Sequence, residues 1–404
     1  MPINGIEDLA TEGRTVLVRL DLNSPIDPAS LTILDDKRFR EIIPTLQALE
    51  DSKVVILTHQ SRPGKRDFST LSMHSERLAT LLKKPVIYID EIFGQSVREK
   101  VRSLKVGEVL MLENVRFNAE ENLIMKPEEA VNTHFVKNLA KMGDFFINDA
   151  FGTAHRSQPS VVGLPMMMRS AAGLLMEKEV KNLSRVFTDA PRPVVMVLGG
   201  TKADDSIAVA RNVLENGIAD FVMVIGVVAN LFLLAAGINL GKPSGQLISQ
   251  LGYETLVLDA KDLLKDYSEK LLVPEFVAVR VDNKREEYPV SGIPEDSPVL
   301  DLGTESITKF SGILKKAGTV VFNGPAGVFE EPDFALGTYE LLKAASHSKF
   351  SVCGGGHTAA VIEKLGIEGN FTHMSTGGGA CIEFLTGKKL PAVEALERSK
   401  ELFG

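Results

Sequence analysis

The chain has 404 residues, 44% of them hydrophobic and 24% charged, with a net charge of -8; that length implies two domains and that composition a globular protein. The acidic balance excludes nucleic acid as the main partner, so any anionic ligand must be met by a local cluster of cations. Two cysteines, Cys353 and Cys381, are too few for a disulfide framework or a cysteine-built metal site, which fits a reducing cytoplasm.

In chain order, short β-branched runs alternate with longer amphipathic segments. Val16-Leu17-Val18, Val54-Val55-Ile56-Leu57, Val86-Ile87-Tyr88, Val109-Leu110-Met111 and Phe145-Phe146-Ile147 read as strands, and 37–50, 73–83, 95–104 and 128–141 carry helical spacing. A helix from about Gly173 to Val186 follows, and the pattern then restarts at Val194-Val195-Met196-Val197-Leu198. The second series continues through Phe221-Val222-Met223-Val224, Val277-Ala278-Val279, Thr319-Val320-Val321-Phe322 and Phe350-Ser351-Val352. The expected fold is therefore α/β, with two doubly wound domains of parallel sheet joined near residue 172. The polar stretch from Asp282 to Asp296 reads as a surface loop or hairpin. No apolar run reaches membrane-spanning length, since Phe221 to Ala236 is interrupted by Gly226 and Asn230, and the N-terminus lacks a signal-peptide pattern.

The first series collects cations at its strand ends. Asp21 and Asn23 follow the first strand, His59 and Arg62 the second, Arg116 the fourth and Arg156 the fifth, while Arg38 opens the next helix. In a parallel sheet all of these should face one crevice beyond the carboxyl edge. One arginine near a strand end is ordinarily a solvated charge. Four of them, with His59 and Asn23, suit a small and multiply anionic ligand, because a guanidinium meets phosphate or carboxylate with two parallel hydrogen bonds.

The second series collects glycines. Gly199-Gly200-Thr201-Lys202, Asn323-Gly324-Pro325-Ala326-Gly327-Val328-Phe329-Glu330, Gly354-Gly355-Gly356-His357-Thr358 and Ser375-Thr376-Gly377-Gly378-Gly379 each follow a strand or precede a helical pattern. Glycines there let backbone N–H groups approach a phosphate, and Lys202 adds a mobile point charge. An anion site in one domain facing a nucleotide-phosphate site in the other is the arrangement phosphoryl transfer needs, with closure before chemistry.

The segment Asn148-Asp149-Ala150-Phe151-Gly152-Thr153-Ala154-His155-Arg156 closely resembles a signature of the phosphoglycerate kinase family, and the match continues in family order from Arg19 to about Pro391. The resemblance implies interconversion of 1,3-bisphosphoglycerate plus ADP with 3-phosphoglycerate plus ATP, with Mg2+ carried by the nucleotide. It implies that the two domains face each other across a hinge cleft, with residues 1–172 binding phosphoglycerate, 173–390 binding nucleotide and 391–404 returning to the first. Asp21, Asn23, Arg38, His59, Arg62, Arg116 and Arg156 would hold the phosphoglycerate, with His155 in an interdomain network. Arg38 and Lys202 would flank the phosphoryl group in transit, together with the amides of Gly355-Gly356 and Gly377-Gly378-Gly379. Gly199, Gly200, His357 and Thr358 belong to the nucleotide loops, and Asn323, Pro325 and Glu330 would contact the nucleoside, Glu330 on the ribose. A cytoplasmic monomer with no membrane or nucleic-acid partner is expected.

Three departures stand out. Ser206 replaces the family's usual lysine four residues after Lys202, and a usual glycine cluster is reduced to Gly226-Val227-Val228-Ala229-Asn230. His357 stands where an aspartate is normally associated with the magnesium nucleotide, and a histidine is a poor ligand for that hard cation, so Asp204, Asp205 or water would take the contact. These changes look similar to archaeal members. Rival readings are a kinase or ligase for another small phosphorylated carboxylate, a dead scaffold, and a dehydrogenase; the last lacks a G-x-G-x-x-G after a strand.

Overall fold

Aliphatic and β-branched runs form strands where the pattern places them, because both faces of a parallel sheet are covered and the strands need not alternate. The computed structural model describes residues 3–404. The chain divides into two units: one runs through Lys181 and resumes over Lys389–Gly404, and the other is Asn182–Lys388. Among the described residues, no helix is long and apolar enough to cross a membrane.

In the first unit β1 (Thr15–Arg19), β2 (Lys53–Leu57), β3 (Val86–Tyr88), β4 (Val109–Met111), β5 (Phe145–Asn148) and β6 (Ser170–Ala172) form one sheet in the order β3-β4-β2-β1-β5-β6. All pairings are parallel. The central strands are buried on both faces, between one cluster containing Val16, Val18, Phe39 and Leu46 and another containing Leu17, Val55, Phe135 and Phe146. The helix expected over 37–50 is instead two, Lys37–Glu41 and Ile43–Gln47. Pro44 explains the break, since it lacks an N–H and its ring crowds the carbonyl one turn earlier. Likewise 128–141 divides into Pro127–Ala130 and His134–Leu139, where the Thr133 hydroxyl accepts the Val136 N–H at 3.2 Å and starts a new helix. The C-terminal helix Pro391–Phe403 belongs to this unit: Ala392 N–H donates to the Ala154 carbonyl and Ser399 Oγ to the Met168 carbonyl, both at 3.0 Å.

The second unit has two sheets. β7 (Val194–Leu198), β8 (Phe221–Val224), β9 (Leu271–Leu272), β13 (Thr319–Asn323), β14 (Phe350–Gly354) and β15 (His373–Met374) give a parallel sheet in the order β15-β14-β13-β7-β8-β9. The strand at Val277-Ala278-Val279 lies outside this sheet, contrary to the sequence reading. It belongs to β10 (Phe276–Val281), the middle of an antiparallel sheet with β11 (Lys284–Pro289) and β12 (Val299–Leu302). Val277 and Val279 bury one face against Leu233, Leu240 and Ile293. The hairpin joining β10 to β11 turns on Asp282 and Asn283, with φ of 46° and 59°, the left-handed pair that matches strand twist.

Candidate active site

In the first unit the loops beyond β4, β2, β1 and β5 are neighbours along one sheet edge, and they carry the predicted cations. Arg38 donates to Asp21, which is buried while Arg38 stays half-exposed. Gly152 makes room for this pair, since a Cβ there would sit 2.1 Å from Asp21 Oδ2. Asn23 Oδ1 accepts the Ser61 N–H at 2.7 Å, which ties the β1 loop to the β2 loop. Arg116 is buried, donates to the Ser61 carbonyl, and has its own N–H held by Asn114 Oδ1 at 3.1 Å. Burial and the charges of Arg19 and Arg156 bring its guanidinium down to about 10. Arg62 and Arg156 are exposed and form no ion pair among the described residues, so both remain available to an anion. His155 accepts from Arg156 Nε at 3.4 Å.

His59 lies beneath these groups, only 2% exposed. Burial first, and then the fields of Arg19, Arg116, Arg38 and Arg156, push its imidazole well below the usual histidine range. Of these four arginines, Arg19 is in contact with the ring, its Nη2 3.2 Å from His59 Nδ1. Arg19, which the sequence reading passes over, is completely buried at the end of β1. The signal for it was an arginine closing an otherwise apolar central strand.

In the second unit, sheet order places the glycine loops side by side: 375–378 after β15, 354–356 after β14, 323–330 after β13 and 199–202 after β7. The backbones touch. A Cβ on Gly324 would lie 2.2 Å from the Gly199 carbonyl oxygen, and one on Gly226 would lie 2.6 Å from that of Pro325. Thr358 Oγ1 accepts the Gly324 N–H at 3.0 Å, and Asn323 Oδ1 lies beside Gly354 and Gly355. The helix Gly356–Leu365 starts from Gly355 at φ 89°, and Gly377 N–H donates to Ser375 Oγ at 3.1 Å.

A cleft of about 210 Å³ opens beside these loops, lined by Gly200, Val227, Pro325, Glu330 and His357, with Val277 and Leu302 on its apolar side. His357 packs its ring 5.6 Å from that of Phe329. Asp301, also unremarked in the sequence, lines the cleft with its side chain fully buried. Lys202 is exposed at the start of the helix Ala203–Glu215, whose first turn holds Asp204 and Asp205. Burial and then the neighbouring Asp204 charge push Asp205 upward, and Lys202 and Lys388 draw it back. Ser206 is buried and donates to the Lys202 carbonyl at 3.0 Å, bracing the turn rather than facing solvent.

The profile of the family described as phosphoglycerate kinase matches residues 6–388. The chain belongs to the phosphoglycerate kinase family. It is 62% identical over 404 residues to a phosphoglycerate kinase of Methanocorpusculum labreanum, covering 100% of both chains. It is 48% identical over 398 residues to that of Methanothermobacter thermautotrophicus, covering 98% of this chain and 97% of the relative. The crystal structure of phosphoglycerate kinase from Pyrococcus horikoshii superposes with a TM-score of 0.91 at 42% identity, covering 98% and 99% of the two chains. The phosphoglycerate kinase structure from Coxiella burnetii gives 0.83 at 31%, again covering 98% and 99%. Membership of this family makes the chain a phosphotransferase, and the α/β architecture with two six-stranded parallel sheets is that of its relatives.

Among the described residues, no three His, Cys, Asp or Glu side chains converge as a metal-binding group. A magnesium nucleotide needs no such cage, because the ion keeps waters and phosphate oxygens and takes only one or two carboxylates. Asp204 and Asp205, one turn from the Gly199-Gly200 loop, fit that requirement; the imidazole of His357 does not.

Proposed function

We propose that this phosphoglycerate kinase family member transfers the acyl phosphate of 1,3-bisphosphoglycerate to ADP, reversibly, with its first unit holding the phosphoglycerate and its second the nucleotide. The observation carrying this reading is the placement of Arg38, Arg62, Arg116 and Arg156 on the segments beyond adjacent parallel strands at one sheet edge, a basket for a compact anion in a chain whose overall charge is negative. Arg62, Arg116 and Arg156 grip the phosphoglycerate, Asn23 orients it, and Arg38, held by Asp21, offers its guanidinium to the reacting end.

The acceptor in the reverse direction is already a carboxylate, so no general base is required. Lys202 and Arg38 neutralise the phosphoryl oxygens, and the amides of Gly355-Gly356 and Gly377-Gly378-Gly379 bind the nucleotide phosphates. Glu330, which lines the cleft together with Pro325, takes the ribose, and Asn323 at the end of β13 meets the nucleoside. Mg2+ would be held against the phosphates by Asp204 or Asp205, where it would screen their charge. A cytoplasmic protein is in keeping with Cys353 and Cys381 forming no disulfide.

The test is ATP- and magnesium-dependent turnover across a panel of small phosphorylated carboxylates. Highest kcat/KM with 3-phosphoglycerate is expected. A clear preference for another acid would assign the arginine basket to a different substrate.

A further inference from the structure

Arg19 stands beneath the anion basket without reaching it. Its side chain has no exposed surface, and each of its nitrogens has a partner inside the protein. Nε donates to Ser160 Oγ at 2.9 Å, Nη1 to the Leu20 carbonyl, and Nη2 meets His59 Nδ1 at 3.2 Å. Behind it, Glu121 lies 4.0 Å from Nη2 and fixes Ser160 twice, accepting the hydroxyl at 2.5 Å and the backbone N–H at 2.8 Å. Glu121 and Ser160 are as deeply buried as Arg19.

A guanidinium has donors only. The contact between Arg19 and His59 therefore requires an unprotonated Nδ1, which leaves the ring proton on Nε2. An imidazolium would point its Nδ1–H at a cation, and the opposite neutral tautomer would point it at a donor. Nε2 has no hydrogen-bond partner among the described residues, so its proton is free for a ligand.

We infer that Arg19, braced by Ser160 and Glu121, is a positioning residue that fixes His59 as the neutral Nε2–H tautomer and so makes it a hydrogen-bond donor to the anionic substrate. The structural half stands on these contacts alone, and the substrate half rests on the phosphoglycerate reading given above. The burden of charge neutralisation then falls on the arginines. His59 contributes direction, because a neutral donor gains nothing from an anion that lacks an acceptor in the right place.

The experiment is long-range 1H–15N spectroscopy of the full-length protein labelled at histidine nitrogen, with His59 assigned by loss of its signals in His59→Gln. An Nε2–H pattern that persists unchanged from pH 8 to pH 5.5, and a shift of Nε2 on adding 3-phosphoglycerate alone, are expected. An Nδ1–H tautomer or an imidazolium at pH 7 overturns the role of Arg19, whatever the activity. The expected tautomer with no response to 3-phosphoglycerate overturns the substrate role of His59 and counts against the phosphoglycerate reading, while the Arg19 contact survives.

In Arg19→Met, His59 should populate both tautomers while burial and the remaining arginines still hold it neutral, and KM for 3-phosphoglycerate should rise about tenfold, the worth of one oriented hydrogen bond. Ser160→Ala removes the Nε acceptor together with the hydroxyl donor to Glu121, keeps the backbone N–H contact to Glu121, and leaves Arg19 itself in place. It should give the same changes in weaker form, and a tautomer unchanged in both variants would contradict the proposal.

Discussion

Arg285 reaches across β10 to Asp301, its Nη1 donating to Oδ2 at 3.0 Å. The same guanidinium donates to the carbonyls of Leu302 and Asp333, each at 2.8 Å, while Asp301 accepts the Gly337 N–H at 2.9 Å. Four segments of the second unit, one of them lining the cleft through Asp301 and Leu302, are thereby pinned to one ion pair. Burial pushes the Asp301 carboxyl up to about 6, and the Gly337 and Leu302 amides with Arg285 draw it back. Asp301→Ala removes the buried partner of Arg285, which keeps Glu287 at 3.0 Å, and leaves the Gly337 N–H without its acceptor, at a cost of about 1–3 kcal/mol. We expect lower stability in urea and a raised KM for nucleotide, with KM for 3-phosphoglycerate unchanged; equal changes in both KM values would contradict a local role.

Gly152 is predicted to be sensitive for a steric reason. An added methyl would lie 2.1 Å from Asp21 Oδ2 and 3.4 Å from Arg38 Nη1. Gly152→Ala should therefore separate that pair, lowering kcat and raising KM for phosphoglycerate. Relief of the crowding by backbone shifts would destabilise the protein by about 1–3 kcal/mol. Steady-state kinetics with each substrate varied in turn provides the check, and a variant with wild-type kinetics would show that Arg38 does not depend on Asp21.

The C-terminal helix supports the loop that carries Arg156. Ala392 donates to the Ala154 carbonyl, and Ala392, Ala395 and Leu396 are buried. Truncation after Leu390 should destabilise the first unit by several kcal/mol, since three apolar side chains and two hydrogen bonds are lost. KM for phosphoglycerate should rise as the Arg156 loop loosens. Unfolding followed by protein fluorescence and circular dichroism, beside the kinetics, would reveal either change.

Stability should carry a signature of Asp149. This carboxylate is completely buried at the end of β5 and accepts the Met176 N–H at 2.9 Å, in the first turn of the helix Leu174–Thr188. Burial pushes it up to about 6, against the pull of Thr45 and the helix amides. Its folded-state value lies above the ordinary 3.8, so its contribution to stability is complete below that value and lost as pH rises through 6. Asp149→Asn should then gain on the wild type between pH 4 and pH 7, by up to about 3 kcal/mol. Urea midpoints measured across that range test the sign: a difference that stays constant, or that runs the other way, would mean the carboxylate is ionised throughout.

Much of the site was readable because it depends on strand ends. Apolar runs gave the parallel strands, and the topology of parallel sheets brought Arg38, His59, Arg116 and Arg156 to one edge. Val277-Ala278-Val279 was misplaced because a short apolar run reads alike in a parallel and an antiparallel sheet. β9 and β15, two residues each, are too short to leave a period. Arg19 and Asp301 escaped notice for a different reason: a charged residue is ordinarily exposed, and only tertiary partners such as Glu121 and Arg285 make its burial tolerable.

The most direct test of the whole account is turnover with ATP, magnesium and 3-phosphoglycerate, coupled to NADH oxidation through glyceraldehyde-3-phosphate dehydrogenase, with Lys202→Ala alongside. Lys202 is exposed, so its removal should leave the fold intact. Loss of a cation acting on the transferring phosphoryl group should lower kcat about 100-fold or more. Robust wild-type turnover that collapses in the variant is the predicted result; a variant as active as the wild type would contradict the assignment of the phosphoryl group to the loop 199–202.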